Sequence, residues 1–128
     1  MLSLETSQKL NDAGLFTKIH KGDAYYRFDG KLTLYLDWTT APISPSWLCP
    51  RLDQILSEIE ARGYSYTLER HGSKDDVRYS LLLMEWDEKV AEIDFGNGWS
   101  PLIDFYANTP EEAAAAALLW ILERDADG

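Results

Sequence analysis

Cysteine is almost missing from this chain. Cys49 is the only one in 128 residues, which excludes an internal disulfide and a thiolate metal cluster. Long hydrophobic runs are missing too: none reaches the roughly 18 residues that a membrane-spanning helix needs. The first residues, Met1-Leu2-Ser3-Leu4-Glu5, have neither the basic region nor the apolar core of a signal peptide. Positive charge is scarce, with 12 Lys and Arg against 22 Asp and Glu, a net charge of −10. A basic face that grips nucleic acid, or electrostatic attachment to an anionic membrane, is therefore not expected.

The chemistry of common active sites is also absent. There is no Gly-rich phosphate loop, no His-Glu-x-x-His pair and no Gly-x-Ser-x-Gly elbow. Gly96-Asn97-Gly98 reads as a tight turn, since it lacks the lysine and the strand-to-helix setting of a phosphate site. His20 and His71 have basic or glycine neighbours and read as solvated loop residues, and Cys49 reads as a small apolar filler. No catalytic residue, metal or cofactor is assigned. A non-enzymatic cytoplasmic protein is the expectation.

What the chain does have is apolar mass, 45% hydrophobic and 12% aromatic, enough for a packed core. Its length predicts one domain. Ser3 is the expected N-cap of a helix over Leu4–Ala13 that stops at Gly14. Tyr25–Phe28 and Lys31–Trp38 flank Asp29-Gly30, which predicts a hairpin with a two-residue type I′ turn. Leu32, Leu34, Leu36 and Trp38 would form its buried face. The break Thr39–Ser46, with two prolines, is too short to separate domains. Pro50 opens a helix whose Leu52, Ile55, Leu56 and Ile59 form one apolar stripe ending at Gly63.

Strands are expected at Tyr64–Arg70, Arg78–Trp86, Val90–Phe95 and Leu102–Tyr106, with Leu81–Met84 central. Thr109-Pro110-Glu111-Glu112 then caps a last helix that is nearly apolar all round. The expected fold is α+β: an antiparallel sheet of five to six strands with three helices, in the order αββαβββ(β)α.

Charge is distributed unevenly. Residues 1–64 carry seven basic and eight acidic side chains, a net of −1. Residues 65–128 carry five and fourteen, a net of −9. If Ala91, Ile93 and Phe95 face inward on a strand, Glu92 and Asp94 face outward, and Asp104 does so on the next strand. Glu85, Asp87 and Glu88 extend this negative region. Three readings are open: a solvated face that keeps the protein soluble, an interaction surface, or a hard-cation site at Glu92, Asp94 and Asp104. For the second, carboxylates about 6.6 Å apart on a strand imitate a phosphate backbone to a nucleic-acid-binding protein. Tyr25 and Tyr35, opposite Leu34 in the alternation, are candidate interface anchors, and with Trp38 they would line a small-ligand pocket.

Three segments resemble small bacteriophage and prophage accessory proteins: Leu4–Leu15, the proline-led Cys49–Leu56, and Asn108–Trp120. In layout the chain is similar to the phage α-β-α sandwich domain. The resemblance implies a phage product that occupies host machinery, such as a nucleic-acid-handling defence enzyme of the CRISPR type, by acidic competition with nucleic acid. The alternatives are an assembly protein that dimerises through the outer side of its last helix, and a small-ligand binder.

Overall fold

The computed structural model describes residues 1–36 and 45–127. Its fold is α+β, with four helices and six strands in two three-stranded antiparallel sheets. The expected sheet is thus divided in two, and one helix is added. Contacts gather in two compact units that meet in sequence at Arg51 and Leu52. Asp37, Trp38 and most of the Thr39–Ser46 break lie outside the described residues. No described helix is long and apolar enough to cross a membrane.

The first unit contains α1 (Leu4–Asp12) and strands β1 (Ala24–Tyr26), β2 (Leu32–Leu34) and β3 (Trp47–Cys49), in the sheet order β2-β1-β3. Ser3 caps α1 as expected, its side chain accepting from the Thr6 N–H. The hairpin between β1 and β2 also forms, but with a three-residue loop. The Arg27 N–H donates to Lys31 O, the Gly30 N–H donates to Arg27 O, and only Gly30 adopts a positive φ. A type I′ turn needs two such residues, and Asp29 is not one of them.

The apolar alternation on β2 points outward, against expectation. Leu32 and Leu34 are 36% and 49% exposed, whereas Tyr25, opposite Thr33 and Leu48, is only 7% exposed. The reason lies in where α1 packs. It lies against β3, the far edge, so the face shared by Cys49, Leu34 and Leu32 is covered at Cys49 and left bare at β2. Asn11 makes the attachment: its side-chain amide donates to Leu48 O at 3.0 Å and accepts from the Leu48 N–H at 3.1 Å. One side chain thereby serves as the missing strand partner of β3. The buried Asp23 carboxylate ties the loops, accepting from the His20 N–H and pairing with Arg51 at 2.8 Å.

The second unit contains α2 (Leu52–Ala61), β4 (Ser65–Gly72), β5 (Val77–Trp86), α3 (Glu88–Ile93), β6 (Trp99–Ala107) and α4 (Pro110–Asp127), with β5 central between β4 and β6. Thr109 caps α4, accepting from the Glu112 N–H. Its alanines Ala113, Ala114, Ala115 and Ala117 are fully buried, and their small size lets the helix lie close to β5 and β6. The stripe on α2, with Ile55 and Ile59 fully buried, packs on α4. The all-round apolar character of α4 is therefore matched by a sheet on one side and α2 on another.

The register sorts the sheet residues onto two faces. Leu81, Leu83 and Glu85 turn toward α4, as do Ile103 and Phe105, whose ring meets Trp120 at 6.2 Å. The other face carries Ser80, Leu82, Met84 and Trp86, with Tyr106, Asp104, Pro101 and Trp99 beside them in register. Between Leu83 and Met84 the register shifts by one residue at Leu102. This bulge brings Trp99 to the face that already holds Asp104.

The strand expected at Val90–Phe95 is instead α3. Since Trp86 pairs directly with Trp99, β6 takes one edge of β5 and β4 the other. Residues 88–98 thus find neither edge of β5 free, and over Glu88–Ile93 a helix pairs the backbone internally. Asp87 starts it, accepting from the Lys89 N–H at 2.9 Å.

Two substitutions test the first unit by urea denaturation. Asn11→Ala leaves both polar groups of Leu48 unpaired and is expected to cost about 2 kcal/mol. Ser7→Ala removes a buried hydroxyl that has no partner among the described residues, and is expected to raise stability by about 1 kcal/mol.

Candidate functional site

The acidic residues singled out from sequence fall into three places. Glu85 turns to the helix side of the sheet, where it accepts from Arg124 at 3.0 Å. That hydrogen bond raises the Arg124 pKa, partly offset by desolvation, so the guanidinium stays charged and Glu85 is engaged. Asp87, Glu88, Glu92 and Asp94 gather on and around α3, as its N-cap, first turn, body and C-cap. Asp104 is exposed on β6, four register pairs from Trp99 and about 13 Å along the same face.

The helix changes the geometry of the acidic region. Glu92 and Asp94 do not alternate outward on a strand, so the expected phosphate-like spacing between them is lost. Ile93 and Phe95, expected inside, are 82% and 101% exposed. In its place, Glu88 and Glu92 stand one turn apart on one side of α3, with Cβ atoms about 5–6 Å apart. Glu92, Asp94 and Asp104 make no ion pair among the described residues, and no described group of three or more His, Cys, Asp or Glu converges as a metal site would require. Tyr25 is buried and cannot act as an exposed anchor, and Tyr35 is half-buried.

Sequence reasoning missed the aromatic part of this surface. Trp86 and Trp99, facing each other across β5 and β6, are 44% and 38% exposed. Their ring centroids are 5.3 Å apart and their planes 82° from parallel. Two neighbours hold Trp86. Its indole N–H donates to Glu88 at 3.0 Å. Its ring also lies over Gly98, where an added Cβ would come within 2.8 Å of it. Below them the Asp87 N–H donates to Gly98 O at 2.7 Å and closes the excursion that contains α3. With Ile93 and Phe95 exposed on the same excursion, apolar and acidic side chains share one end of the sheet. The only sequence signal for this was Trp86 and Trp99 bracketing an acidic segment that ends in Gly96-Asn97-Gly98.

A second cluster lies at the opposite end of the same sheet face. His71, expected in a loop, is on β4, and its Nε2 meets Ser80 Oγ at 2.6 Å and Glu69 at 3.6 Å. The Tyr106 ring is 6.2 Å from the imidazole. A serine activated by a histidine needs its orienting carboxylate on the other ring nitrogen. Here serine and glutamate approach the same one, so the arrangement ties β4 to β5 without forming that relay.

The chain matches no protein-family model, no curated protein and no solved structure. The residues at the end of the sheet are therefore the basis for a functional reading.

Gly98→Ala tests how that end is built. The added methyl group must displace the Trp86 ring, so the expected result is a loss of about 1–3 kcal/mol in urea denaturation. The Trp86 indole resonance should move while that of Trp120 stays in place.

Proposed function

We propose that this protein is a binding module whose acidic, aromatic sheet end docks on a basic surface of another protein. That surface would be of the kind that otherwise holds nucleic-acid phosphates, and the protein acts by occupying it. The observation that carries this reading is the joint exposure of Trp86, Trp99, Ile93 and Phe95 beside Glu88, Glu92 and Asp94. Exposed apolar residues rimmed by polar ones mark interaction sites, and tryptophan is prominent among residues that dominate binding energy.

The two components do different work. Removing about 100 Å² of apolar surface from water contributes about 2.5 kcal/mol, well short of the roughly 8 kcal/mol behind micromolar binding. The carboxylates add steering and selectivity for cations, and their contribution weakens as salt rises. The resemblance of Leu4–Leu15, Cys49–Leu56 and Asn108–Trp120 to phage accessory proteins is the reason to try a host nucleic-acid-handling factor, such as a CRISPR effector, first.

Capture on the immobilised protein from nuclease-treated bacterial lysate, with a graded salt wash, is the test. The expected result is a protein that elutes as salt rises, is displaced by added duplex DNA, and is not retained by the Glu88→Lys/Glu92→Lys variant. A captured protein held equally by the charge-reversed variant, or indifferent to salt and DNA, would overturn the reading.

A further inference from the structure

The chain already contains one arginine held between aromatic rings and a carboxylate. On the helix side of the sheet, the Arg124 guanidinium lies 5.3 Å from the Trp120 ring and 6.0 Å from the Tyr64 ring. The same group donates to Glu85 at 3.0 Å. The next residue along β5, Trp86, points to the opposite face, where two aromatic rings and a carboxylate are again brought together. Here the rings are Trp86 and Trp99 and the carboxylate is Glu88.

The physical features of this corner select a cation. Two indoles 82° from parallel give two walls, and the face of each carries the negative end of its ring quadrupole. Glu88 sits at the rim, with one oxygen on the Trp86 N–H and lone pairs remaining for another donor. Glu92 follows one turn later. An anionic group would be repelled here. A neutral apolar group would desolvate Glu88 without replacing its hydrogen bonds. Among cations, a guanidinium is planar and weakly hydrated, so it can stack on one indole while its N–H groups reach the carboxylate. An ammonium is a compact and strongly hydrated charge with no flat face to stack. The corner is also set in advance, because Gly98 and Glu88 hold Trp86 in place.

We propose that the Trp86–Trp99 corner receives one arginine side chain of the basic partner, its guanidinium stacked on an indole and hydrogen-bonded to Glu88. This rests on the reading that the acidic end docks a basic surface, and it names the side chain that gives the docking its selectivity.

The test is titration of the full-length ¹⁵N-labelled protein with hexa-arginine, hexa-lysine and hexa-glutamate peptides, following the indole N–H signals. Hexa-arginine is expected to shift the Trp86 and Trp99 signals but not that of Trp120, and to bind about threefold to tenfold more tightly than hexa-lysine. Hexa-glutamate should shift none of them. Trp99→Leu should abolish the preference for arginine, and Trp99→Phe, which keeps an aromatic wall, should retain most of it. Equal binding of the two basic peptides, unaffected by Trp99→Leu but lost in Glu88→Lys/Glu92→Lys, would overturn the arginine corner and leave the acidic docking surface standing. If neither basic peptide binds, both readings fall.

Discussion

The surface that gives this protein its functional reading depends on one closure, the hydrogen bond from the Asp87 N–H to Gly98 O with the Trp86 ring lying over that glycine. Eleven residues leave the sheet after Asp87 and re-enter it at Trp99. The closure fixes where they leave and return. It sets the register in which Trp86 faces Trp99, and it leaves room for a six-residue helix whose first turn carries Glu88 against the indole. A side chain at position 98 would disturb all of these features together, because the ring and the glycine backbone are closer than any Cβ allows. The acidic helix and the aromatic corner are therefore one construction.

The rest of the second unit supports that end of the sheet from behind. The small buried face of α4 brings the helix onto β5 and β6, and Arg124 near its end reaches Glu85, the residue beside Trp86. Adjacent positions on one strand thus serve opposite purposes. Glu85 is engaged by an arginine of the same chain, whereas Trp86 turns to the other face, where Glu88 at the start of α3 meets its indole and makes no ion pair among the described residues. This arrangement follows from the two-residue period of a strand, which sends neighbours to opposite faces.

The helices were legible in the sequence because their signals are local. Ser3 and Thr109 cap the helices expected of them, and the Leu52, Ile55, Leu56, Ile59 stripe packs as its spacing implies. The central position of Leu81–Met84 was legible in its unbroken apolar run, but the run's expected cover on both faces is uneven: Leu81 and Leu83 are buried and Leu82 and Met84 half-buried. Segment 88–95 was misread because its alternation of Ala91, Ile93 and Phe95 with Glu92 and Asp94 fits a strand, and alternation says nothing about whether an edge is free. Asp87 followed by Glu88 was equally a helix-start signal, and it prevailed once β4 and β6 had taken both edges of β5. The aromatic corner was not legible. It needs the bulge at Leu102 to put Trp99 on the face of Trp86 and Asp104, and strict alternation would have placed Trp99 and Asp104 on opposite sides.

By itself the sequence determined the composition of this protein's chemistry: a large excess of carboxylates in the second half, a single thiol, an alanine-rich capped helix, and an α+β pattern of elements. These follow from residue identity and short-range spacing. Tertiary structure decided which of these residues meet. Two sheets formed where one was expected, Tyr25 was buried while Leu34 was exposed, and Trp86, Trp99 and Glu88 came together across an excursion of the chain. The physical reason is that strand pairing and burial are settled by competition for edges and faces between segments distant in sequence, and no short-range pattern records which segment wins.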